Sequence, residues 1–133
     1  MPVNIHIKTG EVTQAMRVAA DETVQDYSVK LKEKIAELMG EPKHGIQYPD
    51  LPNVSSAPGE APAIQSESYV DSIMPESLGF MKARVYTDDV RAIRFEFGDA
   101  KVKARPHFTP AVESLREQFY RDIGENVIQA AEE

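Results

Sequence analysis

The chain has 133 residues, 22 acids against 15 bases for a formal charge of −7, and no cysteine. A chain of this length forms one domain that buries roughly two-thirds of its unfolded surface, and without thiols it has no disulfide framework, thiolate metal site or cysteine nucleophile. The opening residues lack a basic start leading into an apolar run, and no stretch approaches the ~18 apolar residues of a membrane span, so neither a secretory signal nor a membrane-embedded chain is expected; the acid excess argues against a general nucleic-acid coat.

Val3, Ile5 and Ile7 alternate with Asn4, His6 and Lys8, the period of a short half-buried strand over residues 1–9. Val12, Met16, Ala19, Ala20, Val24, Tyr27, Leu31, Ile35 and Leu38 then recur at helical steps, which predicts one long helix over 10–40. Thr9 is placed to cap it, Glu11 lies in its first turn, and Gly40 and Pro42 end it. At ~1.5 Å per residue this helix reaches about 43 Å, long enough to cross the whole fold or to extend onto a neighbouring subunit. Its other face carries Arg17, Asp21, Gln25, Lys32 and Glu33, suited to solvent or a polar contact.

Periodicity vanishes over 41–67, where Pro42, Gly45, Pro49, Pro52, Pro58, Gly59 and Pro62 punctuate the chain. A proline-rich loop this long is either functional or flexible. Tyr48, Leu51, Val54, Pro58, Gly59 and Pro62 are its candidate subunit or partner contacts, as an arm that adds little to the core. An antiparallel sheet is expected over 68–98, with strands at 68–74, 80–87 and 90–97. In the last, Ile93, Phe95 and Phe97 share one face and Arg94 and Glu96 the other, and Asp88-Asp89 forms a hairpin turn between the second and third. A basic loop follows over 99–109. Thr109 as N-cap and Pro110 at the first helical position then start a C-terminal helix over 110–131, whose stripe is Val112, Leu115, Phe119, Ile123, Val127 and Ala130. Gly124 interrupts it and marks either a close approach or a bend. The fold class is α+β: a long N-terminal helix, a small antiparallel sheet with a β-hairpin, a C-terminal amphipathic helix and a long proline-rich loop.

Nothing in the sequence assembles a catalytic site. His6, His44 and His107 lie in different segments with no ligand at helical spacing, no phosphate-cradling glycine motif is present, and the serines lack a nucleophile-elbow context. His107, between Pro106 and Phe108, reads as a packing residue at a helix entry. No enzyme activity, cofactor or metal is expected. Charge is more informative. Residues 1–40 carry 6 acids and 5 bases, 41–79 carry 6 and 1, 80–110 carry 4 and 7, and 111–133 carry 6 and 2, so the blocks net −1, −5, +3 and −4. Arg84, Arg91, Arg94, Lys101, Lys103 and Arg105 make up most of the basic block. They suit either the lining of a DNA channel, contacted without sequence readout, or, as the favoured reading, pairing with an acidic surface of a neighbouring subunit such as the acidic middle segment or the C-terminal helix.

Three local strings then converge. Phe95-Glu96-Phe97-Gly98, a short basic loop, and Ala104-Arg105-Pro106-His107-Phe108-Thr109-Pro110-Ala111-Val112-Glu113 resemble the signature of the small neck or tail-completion proteins, also described as head-tail joining proteins, of long-tailed, lambda-like bacteriophages. Ser56-Ala57-Pro58-Gly59-Glu60-Ala61-Pro62 resembles that family's proline-glycine loop, and Tyr69-Val70-Asp71-Ser72-Ile73 its following strand, although Ser66-Glu67 stands where the family has Thr-Gly. The resemblance spans nearly the whole chain and gives Glu96, Phe97, Gly98, Arg105, Pro106, Phe108, Pro110 and Ala111 as its structural signature residues. It implies a non-enzymatic virion protein of the neck or tail region, assembled in the host cytoplasm. It further implies a homo-oligomeric ring, a hexamer among the options, that meets other neck and tail proteins, contacts packaged DNA non-specifically and does not engage a membrane. A tail terminator or head-closure protein at a neighbouring level, a protein-interaction or assembly module outside the virion, and a small enzyme with a dispersed Ser, His and Asp site are the alternatives.

Overall fold

A computed structural model of the chain describes residues 1–6 and 14–132, and among them seven elements follow in order: β1 (Val3–His6), α1 (Gln14–Gly40), α2 (Glu67–Ser72), β2 (Met74–Gly79), β3 (Lys82–Tyr86), α3 (Arg91–Phe97) and α4 (Phe108–Glu132). The fold is α+β as expected. The expected start of the long helix at Thr9, Glu11 and Val12, and the end of the first strand from Ile7 to Gly10, lie outside the described residues.

The strands form one antiparallel sheet in the order β1-β3-β2, with Val3 opposite Val85 and Ile5 opposite Ala83 on one side, and Pro75 and Ser77 opposite the same two residues on the other. In β3 and its flanks, Met81, Ala83, Val85 and Thr87 are buried while Lys82 is exposed, the period of two that turns one sheet face onto the core. That face packs on α1, whose buried stripe runs Ala20, Val24, Tyr27, Leu31, Ile35 and Met39. Complete burial of each large member contributes about 1.5–3 kcal/mol. Pro75 is tolerated because β2 is an edge strand.

α1 runs antiparallel along α4. Tyr27 meets Phe119 edge to face at 5.0 Å and donates its hydroxyl proton to Asp122 Oδ2, while Asn126 Nδ2 donates to Thr23 Oγ1 at 2.9 Å. The polar residues on the other flank of α1 hold the hairpin. Asp21 Oδ1 accepts the Met81 N–H at 2.7 Å, and Gln25 Nε2 donates to the Gly79 and Lys82 carbonyls at 3.0 and 3.3 Å. The Arg17 guanidinium lies 5.5 Å from the centre of the Phe80 ring.

Five expectations give way. Residues 68–74 are not a strand: Tyr69 and Val70 are buried in helix α2, and the sheet takes Met74–Gly79 instead. The strand expected over 90–97 is instead helix α3, entered at Val90, so the β-hairpin is β2–β3, turning through Gly79 and Met81 at φ of 128° and 58°. Asp88-Asp89 is therefore no hairpin turn; Asp89 Oδ1 accepts the Arg91 N–H at 2.9 Å and starts α3. The 41–66 segment carries no helix or strand, yet it is tied down: Gly45 and Ser55 bond through their backbones at 2.9 Å, Gly59 N–H reaches the Ala104 carbonyl at 3.0 Å, and Ala61 joins the core. Finally, α4 begins at Phe108, ahead of Thr109, and its cap comes from elsewhere in the chain.

Gly124 has nothing within 4 Å of where a Cβ would stand, so it serves neither a close approach within the protomer nor a left-handed turn. Gly124→Ala is therefore expected to stabilise the monomer by about 0.5–1 kcal/mol, raising Tm by about 2–4 °C in a thermal melt.

Candidate functional site

The cap of α4 is the carboxylate of Glu96, which lies on α3 and is only 4% exposed. Its Oε2 accepts the backbone N–H of His107 at 2.8 Å and of Phe108 at 3.0 Å, and its Oε1 accepts that of Thr109 at 2.8 Å. These are amides of the first turn, which otherwise have no partner and form the positive end of the helix dipole. The His107 ring, fully buried, sets Nδ1 3.1 Å from Glu96 Oε2 and 3.2 Å from the Arg105 carbonyl. Both are acceptors, so Nδ1 carries a proton. On its other side Nε2 shares a hydrogen bond of 2.5 Å with the Tyr69 hydroxyl. Burial, then the nearby Asp89 and Glu96 carboxylates, push the Tyr69 hydroxyl well above its ordinary pKa despite Arg91, so it stays a donor. Burial alone would raise the Glu96 pKa, but hydrogen bonds from the His107 side chain and from the His107 and Thr109 backbone outweigh it and hold the carboxyl at about 2.

The Tyr69–His107–Glu96 chain thus locks α2, α3 and the start of α4 together. It is sealed from solvent, so it acts as a latch within the fold. The signature residues around it divide by role. Phe108 and Ala111 are buried in the core and Pro106 and Pro110 are half-buried, while Arg105 donates from Nε to Ser56 Oγ at 3.0 Å, fastening the proline-rich loop. Gly98 ends α3 with φ of 72°. Phe97 departs from the expectation of a packing role: its side chain is 65% exposed.

Burying Glu96 turns the opposite face of α3 outward. Val90, Ile93 and Phe97, at helical spacing, are 90%, 64% and 65% exposed. They form an apolar stripe that the protomer leaves uncovered, a feature that marks interaction sites when it is rimmed by polar groups. Val90 and Ile93 were not among the expected contact residues. The steps of three and four that link them to Phe97 are in the sequence, masked there by the alternation that suggests a strand.

The basic candidates do not act as one patch. Arg84 pairs with Glu76 at 2.7 Å and stacks 4.3 Å over the Tyr86 ring; Arg91 pairs with Asp89 at 2.7 Å; Arg94 pairs with Asp99 at 3.0 Å; and Arg105 is engaged by the loop. Lys101 and Lys103 are exposed beside the C-terminal end of α3, and their ammonium groups have no ion-pair partner among the described residues. Among the loop candidates, Tyr48, Pro58 and Gly59 are exposed and Leu51 and Val54 half-buried, but Pro62 is buried and so faces the protomer's own interior.

A second open surface lies where α4's stripe is incompletely covered: a cleft of about 370 Å³ lined mainly by Val3 and Ile5 of β1, Tyr27 and Leu31 of α1, and Val112, Leu115, Phe119 and Ile123 of α4. Among the described residues no group of three or more His, Asp or Glu side chains is placed to hold a metal ion, and no helix is long and apolar enough to cross a membrane. Comparison of the chain with protein-family models, curated proteins and solved structures finds no match.

Proposed function

We propose that the protein is a structural component of a bacteriophage virion, working in the neck to join head to tail or to complete the tail as an oligomeric ring around the DNA channel. The observation that carries this reading is the uncovered apolar face of α3, because it runs from Val90 and Ile93 into the Phe95–Gly98 string that resembles the neck proteins, and its Phe97 belongs to both. A helix that buries a carboxylate to seat its neighbour and turns phenylalanine to solvent is organised for contact with another protein.

Electron microscopy of lysates in which the gene is disrupted tests the proposal. Filled heads beside separate, unjoined tails are the expected result; normal infectious particles would overturn it. Mass spectrometry of purified particles should also find the chain in the virion, where an assembly module acting outside the particle would be absent.

A further inference from the structure

We propose that the outward face of α3 and the outward face of the C-terminal half of α4 are the two halves of a single contact between copies of this chain, joined head to tail. The inference deepens the ring-forming part of the function proposed above and rests on it for its biological setting only.

The α4 half is built on Tyr120, Gly124 and Ile128, one turn apart. Tyr120 and Ile128 are 65% and 60% exposed, and between them Gly124 leaves open space where a side chain would stand. A glycine inside an exposed helix is unfavourable by about 1 kcal/mol relative to alanine, and nothing within the protomer requires it. Between two large apolar side chains it provides a notch into which a side chain such as Phe97 of another copy fits.

Charge selects the pairing. The α3 stripe is bordered by the exposed Lys101 and Lys103, with Arg94 held by Asp99, and the α4 face by the exposed acids Glu113, Glu117, Glu125 and Glu132 against the exposed bases Arg116 and Arg121. Packing α3 against α3 would set its two lysines against their own copies, and packing α4 against α4 would do the same with its excess of acids. The two faces also cannot meet within one protomer. Glu96 pins α3 to the start of α4, and Ile128 lies twenty residues further on, about 30 Å along the helix. A copy that offers one face must take the other from a neighbour, and such a heterologous contact closes into a ring or runs on as a filament. With so few apolar side chains, one contact is smaller than a stable interface of about 1,600 Å². Single junctions are therefore weak and salt-sensitive, and closure of the ring supplies the avidity.

Sedimentation velocity on the purified full chain, from micromolar to millimolar at low salt, provides the test. The wild type is expected to self-associate, and to do so less as salt is raised. Ile93→Asp on α3 and Ile128→Asp on α4 each should weaken self-association about tenfold or more. An equimolar mixture of the two should form dimers and nothing larger, since one intact α3 face and one intact α4 face remain. Both sites are exposed, and circular dichroism checks that each variant is folded. The paired reversals Lys101→Glu with Lys103→Glu, and Glu117→Lys with Glu125→Lys, provide a second mixture that should associate where each alone does not. A wild type that stays monomeric throughout, an Ile93→Asp chain that assembles as the wild type does, or a mixture that stays monomeric overturns the contact. Those failures leave the neck function to be judged by lysate microscopy, and normal particles there would remove the neck role without touching this contact.

Discussion

Glu96→Ala is expected to cost about 3–5 kcal/mol of folding stability, read as a fall in the urea midpoint at unchanged slope. The substitution removes the acceptor for the buried N–H groups of His107 and Phe108 and for that of Thr109 at the surface, and takes the carboxylate away from the buried His107 ring. Each buried donor left without a partner contributes about 1–3 kcal/mol of the loss. Glu96→Gln keeps the shape and one acceptor oxygen, so its cost is intermediate. Acid titration isolates the charge. The Glu96 carboxyl is held at about 2, below the ~4.3 of an unfolded glutamate. A depressed folded pKa means the contribution is complete above about pH 4.3 and is lost as pH falls through the folded value of about 2. The wild type should thus lose stability between about pH 4.5 and 2, and Glu96→Gln should flatten that slope. Glu60 and Asp89 are also lowered to about 2, the first by hydrogen bonds from His44 and Ala57 and the second by Arg91. Both are solvent-screened, so a slope that Glu96→Gln leaves unchanged would assign the acid sensitivity to them and refute the latch.

Gly98→Ala should cost about 2–4 kcal/mol. At φ of 72° an L side chain is strained, and the added Cβ would stand 2.7 Å from both the Ala104 nitrogen and the Val102 carbonyl oxygen. The loop cannot yield easily. Asp99 Oδ1 accepts the Lys101 and Val102 N–H groups at 2.8 Å each, and Arg105 N–H returns to the Phe95 carbonyl. Because this turn delivers His107 and Phe108 to Glu96, the variant should also loosen the start of α4, visible as faster amide exchange at residues 107–109. Exchange as slow as in the wild type would show that turn and latch are independent.

Elements whose residues follow the ordinary partition of apolar inside and polar outside were legible in the sequence: α1 and α4 through their stripes, and β1 and β3 through their alternation. α3 was not, because it inverts the partition. It buries Ala92 and Glu96 and exposes Ile93 and Phe97, so along 93–97 the chain alternates like a strand. What permits a buried glutamate there is a helix N-terminus eleven residues further on, a partner that no local window contains. The same non-local cause hid the cap of α4, and Thr109, a good cap by type, instead donates its N–H to Glu96. β2 was missed because Pro75, Ser77 and Gly79 suit a strand only at a sheet edge. The charge blocks foretold which segments are basic or acidic. They could not foretell that four of the six basic candidates are occupied within the protomer, since pairs such as Arg84 with Glu76 depend on strand register.

The antiparallel seam between α1 and α4 also governs when this chain can fold. Tyr27 finds Asp122 and Thr23 finds Asn126 across 95 and 103 residues of sequence, so the part of α1's stripe that the sheet does not cover is sealed only by a segment far along the chain. Such distant pairings are slow to form, and a nascent chain halted before residue 108 carries α1 with the α4-facing part of its stripe uncovered.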